Sequence, residues 1–221
     1  MAKKKKVGKV DVKKEMYMAS DRFLQDWFQN GVLIPERFIY LEADPETENP
    51  MEEVSPSMLS KFIKSITILE VLNDKAPIFI IINTPGGSMY DGLGIYDRIR
   101  ESPCPVIAFG YGAIMSAGSL IMQAADLRQV SPNSTIMFHD GMDSIGYVHS
   151  DSFVAWAENG KLLNKKLHEI FFKRMVKKNP KLTLEQVSAM FVTDKIFMAQ
   201  QALDVGLIDG IIDNPIRVYD K

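Results

Sequence analysis

The sequence predicts an α/β fold of alternating strands and helices around a largely parallel sheet, and three observations carry that prediction. The run PIFIIIN at residues 77–83 is almost continuously apolar, as a strand covered on both faces must be. After it, helical and strand patterns alternate: helix 90–101, strand 105–109, helix 116–125, strand 134–138. Alternation of this length argues for βαβ units with right-handed crossovers. Finally, 221 residues with 46% apolar and 24% charged side chains suit one domain that buries its own core, with or without an arm.

Taken in order, residues 1–14 hold seven lysines against one aspartate, a net of +6, which leaves −8 on the remainder. A terminus of this kind reads as a flexible, solubilising arm spanning residues 1–20, with contact to an acidic partner as the alternative. Residues 21–34 read as a short amphipathic helix capped by Asp21, with Asn30-Gly31 as a stop signal. ERFIYLEA at 36–43 reads as a strand, followed by an acidic, proline-punctuated loop. Residues 57–73 place Leu59, Phe62, Ile63, Ile66 and Leu69 close to helical spacing. Beyond the alternating units, residues 151–178 form a long helical segment, bent or interrupted at Gly160, where glycine costs about 1 kcal/mol against alanine. Its Phe153, Trp156 and Phe171 give it more aromatic surface than a two-layer core needs, so a neighbouring subunit is expected against it. Thr183 and Gln186 form a capping box for a last helix ending near Phe191.

Composition excludes several classes. The net charge of −2 points away from nucleic acid. A single cysteine, Cys104, rules out an internal disulfide and fits a reducing compartment. No apolar run follows the basic start and none approaches a spanning length, so neither a signal peptide nor a membrane span is expected. The chain reads as soluble and cytoplasmic.

Three places could carry chemistry. Asn83-Thr84-Pro85-Gly86-Gly87-Ser88 directly follows the buried strand; two glycines there permit unusual backbone angles and can present N–H groups to an oxyanion. A tight strand-to-helix connection is the plainer explanation. Ser116, in Gly110–Ser119, opens a helix, where backbone N–H groups and the dipole favour negative charge by about 0.3–1 kcal/mol; Ser116 or Ser119 could equally be a simple cap. His139 ends a buried strand, whereas His149 and His168 lie in polar surroundings that suggest solvated roles. A histidine with a nucleophilic serine needs a third group to hold its tautomer, and composition does not choose among the carboxylates.

The residues do, however, resemble a known family. IIINTPGGSMYDGLGIYDRI is similar to the YINSPGG…IYD segment of the Clp protease proteolytic subunit (ClpP), and Met115-Ser116-Ala117-Gly118 resembles the tetrapeptide holding that family's nucleophile. SPNSTIMFHD is similar to L-P-N-S-x-x-M-I-H, and TDKIFMAQQALDVGLID to R-D-x-F-x-x-A-x-x-A-x-x-Y-G-L-[IV]-D. The similarity covers about residues 30–213, with four motifs in order.

The resemblance implies a ClpP/crotonase-like spiral of ββα units over residues 21–221, with a protruding helical handle at about 143–180. It implies a serine endopeptidase with Ser116 as nucleophile, His139 as base and Asp194 as acid. The oxyanion is expected between the N–H groups of Gly86 and Ala117, with substrate backbone against Gly87, Ser88 and the strand after His139. No metal or organic cofactor is implied. Implied partners are unfolded protein or peptide, further copies in stacked rings (a tetradecamer is one arrangement), and an AAA+ unfoldase. Departures are a Ser-to-His interval of 23 residues, about two short, an acidic insertion at 44–54, an unrelated N-terminus, and Thr193 where the family has arginine. Alternatives are an acyl-CoA enzyme of the enoyl-CoA hydratase fold, and a non-catalytic or capsid-maturation subunit. Signal-peptide peptidases of the SppA kind are also similar around Ser116, but their lysine partner and membrane anchor have no counterpart here.

Overall fold

The computed structural model describes residues 31–42, 54–141 and 149–213. The basic arm, residues 21–30 of the helix expected over 21–34, and the acidic insertion up to residue 53 lie outside them. Eight strands and six helices are described: β1 (Val32–Leu33), β2 (Phe38–Glu42), α1 (Pro56–Leu72), β3 (Ile78–Thr84), α2 (Met89–Arg100), β4 (Val106–Met115) and α3 (Ala117–Met122). Then follow β5 (Leu127–Val130), β6 (Thr135–Phe138), α4 (Ser150–Met175), α5 (Leu184–Met190), β7 (Lys195–Met198), α6 (Ala199–Asp204) and β8 (Gly210–Ile211). The expected mixed α/β fold of alternating strands and helices is therefore present.

The sheet runs β1-β2-β3-β4-β5-β8, parallel except for the β1–β2 hairpin, with β6 and β7 branching from β4. The branch sets up the site. β4 continues well past the predicted residues 105–109. Its first part pairs with β5, Gly110 opposite Val130, and its last three residues pair with β6, Met115 opposite Met137. The far end of β4 and the end of β6 thus lie side by side, and β7 adds antiparallel to β6 with Phe138 opposite Lys195.

Each helix has a physical start and a buried stripe. Ser55 caps α1 by accepting from the Met58 N–H, and Pro56 occupies the first turn, where its missing donor costs nothing. Phe62, Ile66 and Leu69 then bury one face. Thr183 and Gln186 form the expected capping box of α5. α4 runs through Gly160 without a break. Glycine's propensity cost is small against 26 residues of helical bonding, so the expected interruption does not occur. Val32 and Leu33 form a strand instead of ending a helix, because Gly31 (φ 62°) and the turn before Arg37 fold them back on β2. β5, β7, α6 and β8 have no counterpart among the elements predicted from periodicity.

Arg37 closes the end of α1. It donates to the carbonyls of Leu69, Asn73, Ala76 and Pro77 at 2.8–3.0 Å, and its Nη2 lies 3.6 Å from the buried Cys104 sulfur. Leu69 lies in the last turn of α1 and Asn73 caps it, whereas Ala76 and Pro77 belong to the connection into β3, so one guanidinium ties that connection to the helix end. Arg37→Ala is expected to lower stability by about 1.5–3 kcal/mol, read as a lower urea midpoint at matched protein concentration.

Candidate active site

Ser116 sits where β4 passes into α3, with φ 50° and ψ −121°. A side chain at positive φ is costly, about 1–3 kcal/mol, and persists only where surrounding bonds impose it. Here they do: the Ser116 N–H donates to Met137 O at 2.8 Å, and its carbonyl accepts from Leu120 N–H and from Ser119 Oγ. The Ser116 side chain makes no capping bond. Its hydroxyl has no hydrogen-bond partner among the described residues, so the capping explanation fails for this serine.

Gly86 and Gly87 wrap the turn opposite. Gly86 has φ +116°, and a Cβ there would stand 2.6 Å from the Ser116 Cβ, so only glycine fits. The Gly86 N–H, expected as an oxyanion donor, is already committed to Thr84 Oγ1 at 3.1 Å. Gly87 (φ +141°) differs. Val54 bridges this turn by donating to Gly86 O and accepting from Ser88 N–H. In a parallel bridge those two bonds face one way, and the N–H of the middle residue faces the other. The Gly87 N–H is thereby left free among the described residues, as is that of Ala117 in the first turn of α3. Ser88 caps α2 by accepting from Asp91 N–H, so neither its hydroxyl nor its N–H is idle.

A cavity of about 610 Å³ opens at this point. Gly87, Ser88, Ser116, Ala117 and His139 all line it, and its remaining wall is mostly apolar: Met89, Leu120, Met137, Leu167 and Phe171. Gly86 does not line it; it backs Ser116 from behind.

His139 follows β6 directly. Its Nδ1 lies 2.6 Å from the carbonyl oxygen of Asp140. A carbonyl can only accept, so Nδ1 carries the proton and Nε2 is the basic nitrogen. No hydrogen bond joins His139 to Ser116. Asp194 stands opposite His139 when the β6–β7 register is extended by one residue, but it is exposed and makes no hydrogen bond or ion pair among the described residues. The structure thus brings together Ser116, His139, Ala117, Gly87 and Ser88, with Gly86 behind them, and leaves Asp194 opposite His139 in the extended ladder without a hydrogen bond to it among the described residues. The strand expected after His139 falls on residues 142–148, outside those described.

Periodicity misses one partner of this site. His168, expected to be solvated, is largely buried and places Nε2 2.6 Å from Asp140 Oδ1, its ring 4.5 Å from that of Phe191. The signal available was its spacing, three residues before the apolar Phe171, which puts the two on one helix face. His149 is exposed.

Comparison with known proteins agrees with the fold. The profile of the Clp protease family, described as "Clp protease", matches residues 49–215. The ATP-dependent Clp protease proteolytic subunit 1 of Leifsonia xyli subsp. xyli is 30% identical over 188 residues, covering 84% of this chain and 88% of that protein. The ATP-dependent Clp protease proteolytic subunit of Deinococcus radiodurans is 30% identical over 184 residues, 82% of each chain. The proteolytic subunit 2 of Rhodococcus jostii is 29% identical over 182 residues, 81% of this chain and 86% of that one. With the family profile spanning most of its length and 30% identity to relatives matched over more than four fifths of their length, the chain belongs to the Clp protease family.

Proposed function

We propose that this chain is a serine peptidase subunit that hydrolyses peptide bonds through an acyl-enzyme. The observation that carries the reading is Ser116: a strained, uncapped serine at a helix start, facing a cavity it shares with His139. Ser116 Oγ attacks the scissile carbonyl while His139 Nε2 takes its proton and then returns it to the leaving amine. Gly87 and Ala117 supply the N–H groups for the tetrahedral oxyanion; Gly87 replaces Gly86 in that role because the Gly86 N–H is bonded to Thr84. Each such donor is worth about 2.7–4 kcal/mol of barrier. In the resting site the Asp140 carbonyl sets the His139 tautomer. Asp194, opposite His139 in the ladder, supplies the negative charge that steadies the imidazolium as it forms.

The apolar wall made by Met89, Leu120, Leu167 and Phe171 suits a large apolar side chain beside the scissile bond. The relatives' names, "ATP-dependent" and "proteolytic subunit", support an assembly of subunits that works with an ATPase; we extend this to a homo-oligomeric cytoplasmic chamber fed with unfolded protein. The exposed Phe153 and Trp156 at the start of α4 are consistent with burial against further copies. No helix among the described residues is long and apolar enough to cross a membrane.

The test is hydrolysis of fluorogenic peptides by the assembled full chain. Turnover is expected to favour leucine, methionine or phenylalanine at the scissile position over aspartate by 10-fold or more, roughly the discrimination an apolar pocket gives. A folded, oligomeric sample that cleaves none of them, or only acidic ones, contradicts the reading. Sedimentation that shows a monomer alone contradicts the chamber.

A further inference from the structure

The Asp140 carbonyl that holds His139 is itself clamped at three points. The Asp140 N–H donates to Phe191 O at 2.9 Å. Its carboxylate Oδ1 lies 2.6 Å from His168 Nε2. The next N–H along, of Gly141, donates to Asn164 Oδ1 at 3.0 Å. Asn164 and His168 are four residues apart on α4 and therefore share one helix face. The His168 ring is fixed in turn by Phe191, at the end of α5.

From this clamp we propose that His168 and Asn164 are positioning residues for His139, acting through the Asp140 peptide unit. The inference rests on His139 being the general base. A single peptide unit at the end of a strand is free to rotate unless its neighbours are bonded. If it turned, the Nδ1–H of His139 would lose its acceptor, and the tautomer with its proton on Nε2 could no longer accept from Ser116. Wrong-tautomer imidazole is known to be severely impaired as a base. The two α4 side chains hold the unit from both sides: His168 fixes the Asp140 side chain, and Asn164 fixes the N–H of the same peptide group whose oxygen faces His139. Since the His168–Asp140 bond lies outside the Ser116 cavity lining, its effect is on the ring's orientation and not on substrate contact.

The test uses the full-length assembled protein and compares His168→Phe, which keeps a ring against Phe191 but has no donor, with His168→Gln, whose amide can donate to the same carboxylate. H168F is expected to lower kcat for a fluorogenic peptide about 10- to 100-fold, the scale of a small misplacement of a catalytic group, with KM unchanged; H168Q is expected to recover most of it. Parental kcat in H168F, or a loss in H168Q equal to that in H168F, overturns the proposal, the second because packing and not the bond would then matter. Should H168F fail to assemble, Asn164→Ala carries the same expectation in smaller measure, and parental kcat there overturns it. A readout independent of catalysis is the imidazole N–H proton of His139 by NMR, assigned through His139→Gln. It is expected to be protected in the parent and lost to exchange in H168F. Equal protection in both overturns the proposal even in a chain without peptidase activity, whereas a protected proton that H168F releases, in an inactive parent, refutes the peptidase assignment and leaves the clamp standing.

Discussion

Replacing Ser116 with alanine is expected to lower peptide hydrolysis by about a millionfold, the scale at which removal of an acyl-forming serine is felt, and to leave the fold intact. Both halves of that expectation follow from the same geometry. The hydroxyl caps nothing and bonds to nothing among the described residues, so no stabilising contact is lost with it. The backbone bonds that impose φ 50° run through the Ser116 N–H and C=O, and alanine keeps them. Urea midpoint and sedimentation of S116A should match the parent while turnover falls to background. His139→Ala is expected to fall nearly as far, and S116A combined with H139A no further, because residues acting as one unit do not lose activity additively. Retained turnover in S116A would move the chemistry to another residue.

The second large effect is on stability. Arg128 is 4% exposed at its side chain and meets Asp209 in a bidentate pair, Nε to Oδ2 at 2.9 Å and Nη2 to Oδ1 at 2.6 Å, while its own N–H also donates to Oδ2. Gln123 Oε1 accepts from the remaining Nη1 at 2.8 Å. Asp209→Ala would leave a buried guanidinium without its counter-charge. Breaking a buried pair in this way costs about 3–5 kcal/mol, and a carboxylate 33% exposed puts the expected loss near the lower end. Burial alone would raise the Asp209 carboxyl, but the Arg128 hydrogen bonds and charge outweigh it and hold the group below its ordinary 3.8. A depressed carboxyl stabilises the fold above its unfolded value, and that contribution disappears as pH falls through the folded one. The gap in urea midpoint between the parent and D209A should therefore be full at pH 7 and close only on acidification below about pH 4. A gap that stays constant into acid would mean that packing, not the ion pair, carries the effect.

Much of the fold was legible because its strongest signals are local. PIFIIIN reads as a strand from its β-branched run, though only the face of Ile78, Ile80 and Ile82 is buried while Phe79 and Ile81 are half-buried, so it is not covered on both sides. Thr183 with Gln186 announces a helix start whatever surrounds it. The elements that periodicity misses depend on partners far along the chain. Leu127–Val130 contains a buried arginine, which no strand pattern favours; it is a strand because Asp209, 81 residues on, neutralises Arg128 while β8 pairs beside it. The glycine-rich end of β4 resembles a loop until β6 is set against it. At the site, the positions of Ser116 and His139 could be read from motif order. Which of two adjacent glycines has a free N–H could not, since that depends on the Val54 bridge. His168 was likewise hidden, because a histidine on a lysine-rich helix looks solvated until Asp140 is seen to face it.

The central claim, an activated serine at residue 116, is tested most directly by incubating the assembled protein with a fluorophosphonate probe and locating the label by peptide mass spectrometry. The predicted result is modification of Ser116 that is lost in His139→Ala. A folded, oligomeric sample that takes up no label, or takes it at another serine, contradicts it.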